Sequence, residues 1–388
     1  MKNIKLMNKI ASVGTDVFSR AKYTVGDNVD NADAIMVRSA ALHDLEFNPE
    51  LLAIARCGAG VNNIPIDRCT DAGIVVFNTP GANANAVKEL TICALALASR
   101  NIVGGIEWAK TLETDVAKSV EKGKSAFAGV EFAGKTLGVV GLGAIGGLVA
   151  NAATHLGMNV IGYDPYITVD AAWNLSRSIG HAATIDEVFE KADYITLHVP
   201  AVAANIGMIC AANIAKMKDG VRIINLARAD LAVAADVKAA IESGKVAAYV
   251  TDFPTEETVG VPGIVNIPHL GASTEEAEDN CAVMAAKQLD AYLTTGNIRN
   301  SVNFPTVEIP YSGQTRVCVL HANVPAVISK ISGIFSDRGI NIENLTNKSR
   351  GNNACTLLEL SRSISDIEED DVQKQIAEIN GVWRVRVI

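Results

Sequence analysis

Gly141, Gly143 and Gly146 form a G-x-G-x-x-G run, with Ala144 and Ile145 between the last two, directly behind the apolar stretch Thr136 to Val140. Small residues from Gly147 to His155 then read as a helix, and a second apolar run, Val160 to Tyr163, ends on Asp164. Strand, glycine turn, helix, strand and acid follow in the order that binds a dinucleotide. The first two glycines let backbone turn tightly and approach a pyrophosphate, whose charge a helix N-terminus stabilises, and the third lets helix pack closely on strand. Asp164 stands near the spacing of about 20 residues at which a carboxylate meets ribose hydroxyls. It would repel a 2′-phosphate, and residues 165–170 hold no Arg or Lys to receive one. The expected cofactor is therefore NAD.

A nicotinamide enzyme acting on a hydroxy acid needs a base for the hydroxyl proton, a cation for the carboxylate and a group that poises the base. His269 lies in a loop just before a helix start and suits the base. Arg228 ends the apolar run Ile223 to Ala227, at a strand's carboxyl end where open α/β sheets bind ligands, and can grip a carboxylate with its fork of donors. Glu256, beyond another strand end, could hold an imidazole protonated. Each has a plainer alternative when taken alone: a packing histidine, a surface arginine, a solvated loop glutamate.

The elements that must carry these residues alternate along the chain. Strands are expected at 34–37, 52–55 and 74–77, a helix at 84–99, then a less regular stretch to 133 before the glycine unit. Further strands are expected at 194–197, 222–225 and 247–250. A helix from Ser273 to Thr295 opens with a Ser273/Glu276 capping box and stops at Gly296. The tail reads strand, helix, strand, strand, helix, strand. The expected fold class is α/β, with two Rossmann-like doubly wound parallel sheets and a C-terminal βαββαβ ferredoxin-like domain.

At 388 residues the chain has room for two to three domains, and its net charge of −9 argues against nucleic-acid or anionic-membrane partners. Residues 136–163 carry no charged side chain until Asp164, but their glycines and turn pattern fit a buried α/β unit better than a membrane span. The N-terminus lacks the continuous apolar core of a signal peptide. Seven scattered cysteines without a CxxC, and six histidines without ligand spacing, predict a reduced cytoplasmic protein without metal.

Together these segments resemble the D-isomer-specific 2-hydroxyacid dehydrogenase family over nearly the whole chain. The shared motifs are Val37-Arg38-Ser39, the loop Ala55 to Asn63, Val87 to Thr91, Leu197-His198-Val199-Pro200, Asn225-Leu226-Ala227-Arg228, Thr251 to Glu257 and Pro268 to Thr274. The resemblance implies that Arg228 binds the substrate carboxylate, that His269 is the acid/base and that Glu256 pairs with it. It implies Arg38, Ser39, Gly60 and Asn62 at the substrate. Cofactor contacts fall to Gly141, Gly143, Ala144, Ile145, Gly146, Asp164, His198, Pro200, Ala227, Asp252 and Gly271. The implied division is a substrate domain at 1–98 and 275–305, a NAD domain at 99–274, a linker at 306–314 and a regulatory domain at 315–388. Three positions depart from the family pattern: Ala229-Asp230 after the arginine, Thr251 where the family has aspartate, and Glu257 where it has proline.

The tail resembles an ACT domain, with His321, Asn323 and Asn341 at the positions of effector ligands and Ala326 in place of the usual glycine. That tail favours D-3-phosphoglycerate as substrate and 3-phosphohydroxypyruvate as product, the entry to serine synthesis, with L-serine as a potential effector. A homodimer or homotetramer is implied. The alternatives are another D-2-hydroxy acid such as glycerate, or a non-catalytic NAD-sensing protein.

Overall fold

The computed structural model describes residues 1–388, apart from the side chains of 366 and 367. It divides into two compact units, Met1–Asn83 with Glu278–Ile388, and Ala84–Ala277. In the first, β1 (Lys2–Met7), β2 (Tyr23–Gly26), β3 (Ala34–Val37), β4 (Ala53–Arg56) and β5 (Val75–Phe77) make a parallel sheet in the order β2-β1-β3-β4-β5. β3 and β5 are buried at every residue, as strands covered on both faces must be.

The second unit holds seven strands: β6 (Thr136–Val140), β7 (Asn159–Tyr163), β8 (Gly180–His181), β9 (Tyr194–Leu197), β10 (Val221–Asn225), β11 (Val246–Thr251) and β12 (Ile264–Asn266). Their order is β12-β11-β10-β9-β6-β7-β8, and every pairing is parallel. The chain switches direction across the sheet between β6 and β9, which opens a crevice at their carboxyl ends. The helix Ala84–Ser99 buries Ala94, Leu95 and Ala98 in this unit's core beside Leu137 and Val250. The expected substrate-domain boundary at 98 therefore moves back to the start of that helix. The stretch expected to be irregular contains two helices, Ile102–Ala109 and Val116–Gly123.

The tail forms β13 (Arg316–Ala322), β14 (Ile342–Arg350), β15 (Asn353–Leu360) and β16 (Val382–Val387), antiparallel in the order β14-β15-β13-β16. On one face Val317, Val319 and Leu358 meet Ile331, Phe335, Val372 and Ile376 of its two helices, Val327–Ser336 and Asp366–Ala377. On the other, Cys318, Leu320, Cys355 and Leu357 share a core with Phe77, Tyr292 and Phe304. Each leucine buried there contributes about 1.5–3 kcal/mol. The tail is thus part of the first unit. The expected linker is packed too, since Val307 and Ile309 are buried and Val307 bridges Ile298.

Two arginines of this sheet grip the end of the helix Glu275–Thr295. Arg386 donates to the carbonyls of Tyr292 and Leu293, both at 3.0 Å. Arg316, wholly buried, donates to Thr295 O at 2.8 Å and to the Glu359 carboxylate at 2.6 Å. The last carbonyls of a helix lack partners within it and carry the negative end of its dipole, so two guanidinium groups are well placed there. At the other end the expected capping box is absent: Thr274, not Ser273, accepts from Ala277 N (3.1 Å), and Ser273 N bonds back to Leu270 O (3.0 Å).

Candidate active site

The glycine turn leaves β6 through Gly141 at φ +90°, where a Cβ would lie 2.5 Å from His198 O. Gly143 caps the helix Ala144–His155, which starts three residues before the expected Gly147, and a Cβ on Gly143 would meet nothing within 4 Å. A Cβ on Gly146 would overlap the Gly141 carbonyl. Gly143 and Ala144 are exposed, while Ile145 is half-buried. One glycine turns, one leaves room and one packs. Asp164 accepts from Leu142 N and Tyr166 N, both at 2.9 Å, which fixes its carboxylate beside the turn.

Across the crevice, His198 is hydrogen-bonded to Thr196 Oγ1 at 2.9 Å, and burial pulls its imidazole down to about 4. It is neutral at physiological pH. Pro200 is exposed two residues on.

At the end of β10, sequence reasoning gave no role to Asn225, which is wholly buried. Its Oδ1 accepts from Ala227 N (3.2 Å) and Arg228 N (3.4 Å), and its Nδ2 donates to Arg228 O (2.9 Å) and Tyr249 OH (3.1 Å). That ties the turn so that Arg228 is presented exposed at the strand end, with Nη1 on Ala227 O at 2.6 Å. The signal was an amide directly behind the apolar pair Ile223-Ile224.

After β11, Thr251 Oγ1 is taken by Phe253 N at 3.1 Å. Asp252 is 1% exposed; its Oδ2 accepts from Gly271 N at 3.3 Å, and its Oδ1 has no partner among the described residues. Burial pushes this carboxyl above its ordinary value, while the charges of His269 and Arg228 pull it back. His269 stacks on Phe253 with ring centroids 4.7 Å apart. Glu256 is exposed, and no hydrogen bond or ion pair joins it to His269 among the described residues. The expected pair is absent: the turn built on Thr258 Oγ1 and Thr255 N (2.9 Å) leaves Glu256 facing solvent.

In the first unit, Arg38 is ion-paired to Glu278 instead of standing free for an anion. Asn8, at φ +78°, accepts from Ser39 N (3.0 Å) and Ala40 N (2.7 Å) and so sets this turn. Arg56 Nε donates to Arg38 O at 3.1 Å, which brings a second guanidinium that the sequence did not single out. Asn78 Nδ2 holds Ala59 O at 2.7 Å beside half-buried Gly60, and Asn62 O meets His43 Nε2 at 3.0 Å. Burial pushes the Cys57 thiol up to about 12.

In the tail, His321 is 2% exposed and both ring nitrogens are taken, by Ala322 O (2.8 Å) and Thr356 Oγ1 (2.9 Å). It is not offered to an effector. Asn323 reaches Gly351 O and Asn341 reaches Glu343, and both are exposed. Ala326 takes φ +69°, the left-handed conformation a glycine would adopt freely. Among the described residues no group of three or more His, Cys, Asp or Glu could hold a metal, and no single helix is long and apolar enough to cross a membrane.

Residues 93–271 match the model of the D-isomer specific 2-hydroxyacid dehydrogenase NAD-binding domain, so the chain carries that family's NAD-binding domain. Residues 317–384 match the ACT domain of the acetohydroxyacid-synthase small-subunit type. Among curated relatives the chain is similar to D-3-phosphoglycerate dehydrogenase of Methanocaldococcus jannaschii, with 33% identity over 83% of this chain. It spans 61% of that relative's length. D-3-phosphoglycerate dehydrogenase 1 of Saccharomyces cerevisiae is 29% identical over 93% of this chain and 80% of its own. Among solved structures, the NAD⁺-bound 3-phosphoglycerate dehydrogenase of Entamoeba histolytica superposes with a TM-score of 0.60 at 26% identity, covering 78% of this chain and 98% of that one.

Proposed function

We propose that the protein is an NAD-dependent dehydrogenase that oxidises D-3-phosphoglycerate to 3-phosphohydroxypyruvate, the first step toward serine. The observation that carries this reading is Asp252, a buried carboxylate at the end of β11 that accepts from Gly271 N two residues beyond His269, beside the end of β10 that presents Arg228 and on the same edge of the parallel sheet as the glycine turn. Bound NAD supplies the hydride acceptor. The free Oδ1 of Asp252 fits an amide donor such as the cofactor's carboxamide, and the open space at Gly143 suits a pyrophosphate.

His269 takes the proton of the substrate hydroxyl as hydride leaves the same carbon. Arg228 holds the adjacent carboxylate in its donor fork, which fixes which face of that carbon is presented. Asp252 favours the imidazolium that results. Arg38 is carried as the candidate for the substrate's anionic end, at present ion-paired to Glu278. The apolar side chains exposed along 102–116, Ile102, Val103, Ile106 and Val116, are the surface for a homodimer. Asn323 and Asn341 remain the residues for an L-serine effector. A cytoplasmic location accompanies this activity.

The test is NADH formation from D-3-phosphoglycerate beside D-glycerate and D-lactate. We expect turnover restricted to the phosphorylated acid and reduced about 10²–10⁴-fold in His269→Ala. Preference for an unphosphorylated acid would replace the substrate and keep the mechanism. NADH binding without any turnover would favour a sensor instead.

A further inference from the structure

The helix Glu275–Thr295 also floors a cleft of about 760 Å³ in the first unit, and none of the residues assigned above to substrate, cofactor or effector lines it. Val283, Met284, Lys287 and Gln288 come from that helix, at the three- and four-residue spacing of a single face. Arg299 and Glu308 stand on the rim, from the segment that follows the helix. The volume falls in the range of about 300–1,000 Å³ usual for small-molecule sites.

Gln288 marks this cleft as more than a surface fold. It is 7% exposed, yet neither its Oε1 nor its Nε2 has a hydrogen-bond partner among the described residues. Buried amides are nearly always paired, because an amide withdrawn from water without a partner loses both its bonds. Lys287, Arg299 and Glu308 are exposed, and their side chains form no ion pair or hydrogen bond among the described residues. The cleft therefore holds two uncommitted cations, one carboxylate and an amide fork with nothing to bind.

We propose that this cleft is a second ligand site for a monocarboxylate that also carries a carboxamide. The excess of one positive charge suits a single anionic group. The neighbouring donor and acceptor of Gln288 match the acceptor and donor of a planar amide, as paired amides do elsewhere. Val283 and Met284 cover the methylenes between the two ends.

The probe is succinamate, titrated by calorimetry against the full chain saturated with NAD, with succinate and butyramide as the analogues lacking the amide and the charge. Succinamate should bind saturably and at least tenfold more tightly than either analogue. Gln288→Met should abolish that preference while raising the thermal midpoint of the ligand-free protein, because the unpaired amide is gone. Arg299→Ala, on the exposed rim, should weaken succinamate and succinate alike by about tenfold. No saturable binding of succinamate up to about 10 mM would overturn the proposal. So would affinity unchanged in both variants. Neither result bears on oxidation at His269.

Discussion

At the Gly141–Gly146 turn, backbone is left bare and side chains are withheld; under the C-terminal sheet, long charged side chains are driven into the interior. The turn keeps its space by having no Cβ where Gly143 stands, and of its amides Leu142 N is already taken by the Asp164 carboxylate. The seam is filled, with Arg316 and Arg386 spending their donors on carbonyls the helix cannot satisfy itself. Binding surface and structural joint thus use the two ends of helices oppositely: an N-terminus left open for a ligand, a C-terminus closed by the protein's own cations.

The contrast can be broken at its tightest points first. Gly146→Val would force a side chain into the Gly141 carbonyl. It should cost about 4–5 kcal/mol and abolish NADH binding, measured by urea unfolding and cofactor fluorescence. Arg316→Met leaves the Glu359 carboxylate buried without its cation, for a loss of about 3–5 kcal/mol; adding Glu359→Leu should restore most of it. If the single variant were neutral, the seam would not depend on that pair.

A smaller effect follows from His198. Its folded pKa, about 4, lies below the ordinary 6.5, so between those values the unfolded chain binds the extra proton. Stability from this group is complete above pH 6.5 and is lost as pH falls toward 4, by about 3 kcal/mol. His198→Gln should flatten the curve of unfolding free energy over that window. The smallest change expected is Ala326→Gly, which relieves a left-handed alanine but frees the unfolded chain, for a net gain of about 0.5–1 kcal/mol. A destabilised glycine variant would mean that the alanine methyl is packed to advantage.

Much of the crevice was legible because its chemistry is local. β6, the glycines, Asp164 and Arg228 sit within short stretches whose period and spacing carry their meaning. The parts that were missed depend on partners far along the chain. Nothing near Asn8 announces that it will hold Ser39, and nothing near Arg316 announces Thr295 or Glu359. Glu256 faces solvent for a related reason: a motif gives its position in a loop, and the loop's own hydrogen bonds decide where it faces. At the helix start Ser273 was expected to cap, whereas Thr274 accepts from Ala277 N and Ser273 N bonds back to Leu270 O. The tail's strands and helices could be read, but not the burial of its second face, since an apolar run looks the same whether covered by its own helices or by another sheet's core.

The first unit is assembled from two distant stretches of chain, with Ile4, Met36 and Phe77 closing on Leu289, Phe304 and Leu357. On a ribosome adding about 5–20 residues each second, the opening strands must wait roughly 15–60 s for the partners that complete their core. The intervening 84–277 can fold as soon as it emerges. Synthesis therefore delivers a finished cofactor domain carrying an unfinished neighbour, whose exposed strands need shielding until β16 arrives.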